Sequence, residues 1–234
     1  MINENLSNCL KQFYSENEKE LTDLGVVVKM PYVPYIPSSW NGTLVLAEAQ
    51  NLSKNNQNYV DKLNEASVEK QIHRLSNPDS LGILPWDDNS LKIAVELGLE
   101  QNNKEVAVSN ACFWSQRNEK GFNANPSIEL QNLSVKLWNL IFSIMNPKII
   151  ITVGKVTSNI IKATEFNGHV YSLCHPSSNY LSRFSGLIDE KYILDRFPEI
   201  KELDNRYPTW MVRGNYRQNK LFFAMHSLSR LKAI

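Results

Sequence analysis

The chain has 234 residues, 42% hydrophobic and 21% charged, the proportions of a globular protein that buries one substantial core and not of a disordered or fibrous one. A formal net charge of +1 supplies no overall field to draw in a polyanion, so any such attraction has to come from local distribution of charge. Residues 1–20 are polar and acidic and no later apolar run is long enough to span a bilayer, so neither a secretory leader nor a membrane segment is expected, and a cytoplasmic location is.

Taken in chain order, the expected elements begin with a helix over residues 3–24, where Leu6, Leu10, Phe13, Leu21 and Leu24 recur at helical spacing among charges. Pro31, Pro34 and Pro37 then stand at every third position, which predicts an extended connector of polyproline geometry. After the turn Asn41-Gly42, the run Leu44-Val45-Leu46-Ala47 is short and apolar, as a buried strand is. Three similar runs follow: Val106 to Val108, Ile149 to Val153 and Val170 to Cys174.

Helical patterns lie between these runs. One is expected to start at Asp88 or Asn89, with Leu91, Ala94, Val95 and Leu99 on one face. Another is expected from Asn125-Pro126, as N-cap and first turn, to Asn146-Pro147, burying Ile128, Leu133, Leu137, Leu140, Ile141 and Ile144. Strands alternating with helices predict a single α/β domain over 1–234, a three-layer α/β/α arrangement around a central, mostly parallel four-stranded sheet, with its core over about 41–185. Cys9, Cys112 and Cys174 are far apart and include no C-x-x-C pair, so free thiols are expected, with neither a disulfide framework nor a zinc or iron–sulfur site.

The end of the chain, 205–234, has no acidic side chain. Arg206, Arg213, Arg217, Lys220, Arg230 and Lys232 are interleaved there with Tyr207, Trp210, Tyr216, Phe222 and Phe223. Such a mix serves phosphate contact and base stacking, or equally an element whose aromatics enter the core behind a solvated basic face. The sequence leaves both open.

Ligands of an open parallel sheet bind beyond the carboxyl ends of its strands. The residues just past the four expected strands are Glu48, Ser109-Asn110, Gly154 and His175-Pro176-Ser177, so a carboxylate, an amide, a glycine turn and an imidazole are expected to face one crevice. Cys174 and His175 are adjacent on leaving a strand and point to opposite faces, which disfavours a Cys–His nucleophilic pair.

Leu44 to Ala49, Ser109-Asn110, Ile149 to Gly154 and His175-Pro176-Ser177 resemble, in that order, the motifs of the uracil-DNA glycosylase superfamily. The likeness covers Thr43 to about Arg183. It implies that Glu48 positions water or stabilises positive charge on the sugar, that Asn110 reads the base edge, and that His175 stabilises the departing base. Physically the roles are coherent: breaking an N-glycosidic bond builds oxocarbenium character on the sugar and negative charge on the base, and fixed groups of opposite polarity lower that barrier. By itself Glu48 also reads as a helix cap or surface carboxylate, and Asn110 as a turn asparagine.

The same resemblance assigns Ala49 and Gln50 to the base pocket, with Trp86 as a platform under a flipped base or else a core tryptophan. Ser177 and Ser178 are expected at a strand phosphate, Tyr180 and Leu181 as the wedge, and Arg183 and Arg117 on DNA. Two departures stand out. Ala47 replaces the family's first glycine, and Gln50-Asn51 replaces the Pro-Gly that shapes the first loop, so the target extends from uracil to a modified pyrimidine, including a hypermodified cytosine of phage DNA.

The function expected is therefore a monofunctional DNA glycosylase acting as a monomer on DNA, without metal, cofactor or iron–sulfur cluster, leaving an abasic site. No lysine stands in the motifs to act as a lyase nucleophile. The rival expectations are a non-catalytic nucleic-acid or modified-base binding module of the same fold, and a hydrolase of free nucleotides.

Overall fold

The computed structural model describes residues 2–77, 105–175, 189–206 and 217–231. The helix proposed near Asp88 lies outside the described residues, as do Trp86, Pro176, Ser177, Ser178, Tyr180, Leu181, Arg183, Tyr207, Trp210, Arg213 and Tyr216.

The first helix, α1 (Ile2–Asp23), buries Leu6, Leu10, Phe13 and Leu21, as their spacing requires. Gly25, at φ 65°, ends it: its amide and that of Val26 bond back to the carbonyls of Thr22 and Leu21. The proline-rich connector that follows is sewn to the core by its backbone. Tyr32 donates to the Phe113 carbonyl, Ile36 to that of Leu75, and Tyr35 exchanges both bonds with Val108 in an isolated antiparallel bridge.

All four expected strands form, as β1 (Thr43–Ala47), β2 (Ala107–Asn110), β3 (Ile149–Val153) and β4 (His169–Leu173). They make one wholly parallel sheet in the order β2-β1-β3-β4. The chain thus steps outward from β1 to β2, then returns across β1 to β3 and β4. β2 is an edge strand in sheet order, yet it is fully buried because Tyr35 occupies its outer side.

Alternation along the strands divides the core in two. Leu44, Leu46, Ala107 and Ile150 face one layer, with α1, α2 (Gln57–Glu65), α3 (Val68–Ile72), α4 (Ile128–Met145) and α5 (Lys155–Lys162). Val45, Ala47, Val108, Ile151 and Val153 face the other, packed by α6 (Glu190–Arg196), α7 (Pro198–Arg206) and α8 (Arg217–Leu231). The fold is a three-layer α/β/α sandwich around a four-stranded parallel sheet.

Two sequence expectations for α4 are corrected. Its N-cap is Ser127, whose side chain accepts from the Leu130 amide, so Pro126 precedes the cap instead of filling the first turn. Its buried stripe runs through Leu130, Leu133, Leu137, Trp138, Ile141, Phe142 and Met145, whereas Ile128 is 66% and Leu140 48% exposed. The reason is aromatic: Trp138 stacks on Phe142 and meets Phe113 at 4.7 Å, and seating those rings turns the helix away from Ile128 and Leu140. At the other end Asn146 takes the left-handed conformation that closes the helix.

In the described part of the C-terminal segment, α8 places Phe223 fully in the second core, with Phe222 packed against it. Arg217 is held by Glu190 and Asp204 at 2.6 Å each, and those bonds raise its already high pKa further. This much of the basic, aromatic stretch serves packing. Among the described residues no helix is long and apolar enough to cross a membrane. The cysteines are free thiols.

Candidate active site at the carboxyl edge of the sheet

The carboxyl ends of β1 and β3 lie side by side where the strand order reverses, the place at which open α/β sheets open a crevice. Glu48 leaves β1 there and Gly154 leaves β3. Gly154 has φ 100° and ψ 160°, a backbone conformation essentially restricted to glycine, and is the N-cap of α5. A β-carbon built on it would stand 3.7 Å from Cβ and 3.8 Å from Cδ2 of His175, and 3.8 Å from Oε2 of Glu48. Carboxylate and imidazole therefore converge over a residue that has no side chain to separate them.

Glu48 is half-buried and caps no helix; the next helical turn begins at Lys54. Among the described residues its carboxylate enters no hydrogen bond or ion pair. Its charge is felt nearby: burial pushes the Cys112 thiol up, and the negative charge of Glu48 adds to that. The amino end of α5, with its unpaired N–H groups, begins at the same point and favours negative charge in the crevice.

Asn110 ends β2 opposite Ala47 and is 7% exposed. Its amide likewise forms no hydrogen bond among the described residues, leaving both donor and acceptor for a ligand. The residues behind it are strongly held. The Phe113 amide donates to Ser134 Oγ, Trp138 Nε1 donates to the Ala111 carbonyl at 2.8 Å, and Trp114 Nε1 reaches the Lys29 carbonyl at 2.9 Å.

His175 follows β4, whose register is tied to β3 next to the crevice. The Gly154 amide donates to the Leu173 carbonyl at 2.9 Å, and Ser172 Oγ meets Thr152 Oγ1 at 3.1 Å and Ser158 Oγ at 2.9 Å. Cys174, one residue earlier, turns the other way: its sulfur lies 3.7 Å from Nδ1 of His226 on α8. Burial pushes the thiol up to about 11, and burial together with Arg230 lowers the His226 pKa, so the pair is a neutral thiol beside a neutral ring and not an activated nucleophile.

The first loop is shaped by partners remote in sequence. The Ala111 and Cys112 amides donate to the carbonyls of Ala47 and Glu48 at 2.7 and 2.8 Å. The Gln50 carbonyl accepts from Ser115 Oγ at 2.6 Å and from Asn123 Nδ2 at 2.9 Å, while Asn123 Oδ1 takes the Leu52 amide. Arg117 Nε donates to the Leu52 carbonyl at 2.6 Å, so this arginine, expected on DNA, is engaged in holding the loop. Ala49 packs on the core, and the Gln50 side chain donates to the Tyr59 hydroxyl at 2.6 Å. Ser115, Asn123 and Tyr59 carry no local motif, and nothing in the sequence pointed to them.

Glu48, Gly154 and His175 thus meet in one place, with Asn110 two strands from Gly154 along the same edge. The arrangement offers a carboxylate for developing positive charge or for a water proton, a ring N–H for developing negative charge, and an uncommitted amide. Among the described residues no group of three or more His, Cys, Asp or Glu side chains is placed to hold a metal. No family model and no curated protein matches this chain.

Proposed function

We propose that the chain is a monofunctional DNA glycosylase, which flips a uracil or modified pyrimidine out of DNA and hydrolyses its N-glycosidic bond. The observation that carries this reading is the convergence of the Glu48 carboxylate and the His175 ring on Gly154, at the carboxyl edge of a parallel sheet. The ordered motifs in which these residues stand support it, and so does the uncommitted amide of Asn110.

In the reaction so proposed, the bond between the sugar and the base nitrogen breaks with its electron pair leaving on the base. His175 donates an N–H to the base oxygen on which that charge collects. Glu48 faces the sugar, stabilises its oxocarbenium character and takes a proton from the water that adds to the anomeric carbon. The base departs after gaining a proton, and an abasic sugar remains. Asn110 pairs with the edge of the flipped base through its donor and acceptor.

The test is base release from duplex and single-stranded oligonucleotides carrying uracil, hypoxanthine, or hydroxymethyl or glucosylated cytosine, read by mass spectrometry, with the free nucleotides in parallel. Release of one base from an oligomer, lost in Glu48→Gln, supports the reading. Cleavage of free nucleotides alone makes the protein a nucleotide hydrolase, and no release from any substrate overturns catalysis at this site.

A further inference from the structure

Thr152 is fully buried on the face of β3 that packs under α5, where the residue before it on that face, Ile150, is apolar. A hydroxyl sealed into such a layer is costly unless it is hydrogen-bonded, and this one is. Thr152 Oγ1 donates to Ser172 Oγ at 3.1 Å, directly opposite on β4, and Ser172 Oγ meets Ser158 Oγ of α5 at 2.9 Å. Three elements are thus joined at one oxygen, that of Ser172.

The three hydroxyls bracket the point where the crevice residues converge. Thr152 stands two residues before Gly154, Ser158 four residues after it, and Ser172 three residues before His175. The Ser158 amide donates to the Gly154 carbonyl at 3.2 Å, so the hydroxyl of Ser158 belongs to the turn that Gly154 begins. His175 lies two residues beyond the last pair of the β3–β4 ladder, Val153 with Leu173, and its place over Gly154 depends on how the end of β4 is held. Leu173 is the one buried residue of β4. Apolar burial therefore specifies the register of this strand weakly, and the hydroxyl pair supplies what the apolar pattern lacks.

We propose that Ser172 is the positioning residue of the crevice: its hydroxyl, shared with Thr152 and Ser158, holds the end of β4 so that the His175 ring stays beside Glu48. It acts through His175. The placement of the ring is independent of what the crevice does; only the effect on rate rests on base excision.

The experiment compares Ser172→Val with Ser172→Thr in the whole chain, two side chains of the same shape that differ in the hydroxyl. Both suit an exposed position on a strand. Long-range proton–nitrogen spectra report the His175 ring, whose signals are assigned by their loss in His175→Ala. One sharp set is expected in the parent chain and in Ser172→Thr, and broadened or doubled signals in Ser172→Val, with those of the distant His73 unmoved. Thr152→Val, equal in shape to the residue it replaces, should reproduce the Ser172→Val spectrum, and it decides by itself if Ser172→Val does not fold. On a base that the parent chain releases, Ser172→Val should lower kcat about tenfold with KM little changed, and Ser172→Thr should restore it. In a His175→Ala background the valine substitution should have no further effect on kcat. Unaltered His175 signals in both valine variants overturn the proposal, and so does a kcat loss that persists without His175. If the parent chain releases no base, the proposed function fails and the ring spectra alone decide the role of Ser172.

Discussion

Glu48 Oε2 and Cδ2 of His175 each lie 3.8 Å from the point where a β-carbon on Gly154 would stand. Residues separated by more than half the chain are brought together because β1 and β4 flank β3, and β3 is followed by a glycine.

The two polar groups should matter to chemistry more than to grip. We predict that Glu48→Gln and His175→Ala each lower the rate of base release by about 10²–10³, the range for removing one preorganised stabiliser of developing charge. DNA retention in a filter or mobility assay should change little. Full activity in both variants refutes the assignment of the site.

Gly154→Ala should be damaging through the backbone. At φ 100° an alanine is strained, by about 1–3 kcal/mol, although its methyl group would make only ordinary contacts with Glu48 and His175, so relief of the strain has to shift the turn that carries them. Urea denaturation should show the stability loss, and base release should fall further than the fraction unfolded explains. An unchanged midpoint would mean that the turn relaxes freely.

Asn123 makes two bonds that shape the first loop, to the Leu52 amide and to the Gln50 carbonyl. We predict that Asn123→Ala costs about 2 kcal/mol, the sum expected for two hydrogen bonds whose partners stay behind. Hydrogen exchange should find the Leu52 amide markedly less protected while α1 is unaffected. Equal loss of protection across the molecule would point to global destabilisation and not to loop anchoring.

Cys174 and His226 should limit the stable pH range from opposite sides. Burial and Arg230 hold His226 below its ordinary 6.5, so the unfolded chain takes up that proton first. Its contribution is present above pH 6.5 and is lost as pH falls through the folded value. Cys174 is raised from 9.0 to about 11, so its contribution is present below pH 9.0 and is lost as pH rises toward 11. Denaturation midpoints measured across this span should form a dome. His226→Asn should flatten the acid side, and a profile identical to that of the parent chain would rule out this source.

Arg217 should matter to the fold. Arg217→Met leaves Glu190 and Asp204 facing each other without their cation, and a loss of about 2–3 kcal/mol is expected in urea denaturation. Arg217→Lys should recover only part of it, because an ammonium cannot bond both carboxylates through a planar fork. No loss in Arg217→Met would show the cluster to be energetically idle.

Much of the fold was legible in the sequence. The runs Leu44 to Ala47 and Ile149 to Val153 are apolar but for Thr152 because a parallel strand under helices is buried on both faces, and their ends mark where Glu48 and Gly154 emerge. The stripe of α4 was less legible. Aliphatic periodicity pointed to Ile128 and Leu140, and only the seating of Trp138 against Phe113 and Phe142 set the helix rotation.

The sequence by itself determined the strands, the polar residues at their carboxyl ends and a mostly parallel α/β layering, because local periodicity and turn residues are read within a few positions. Tertiary structure decided the strand order, which sets Glu48 and His175 on either side of Gly154. It also decided the frame of the first loop. Where the resembling family has glycine and proline, this chain has Ala47 and Gln50-Asn51, and the loop is held by Ser115, Arg117 and Asn123. Glycine and proline shape a backbone from within the loop. Hydrogen bonds from residues some seventy positions away do so only after the sheet has formed, and no local pattern records them.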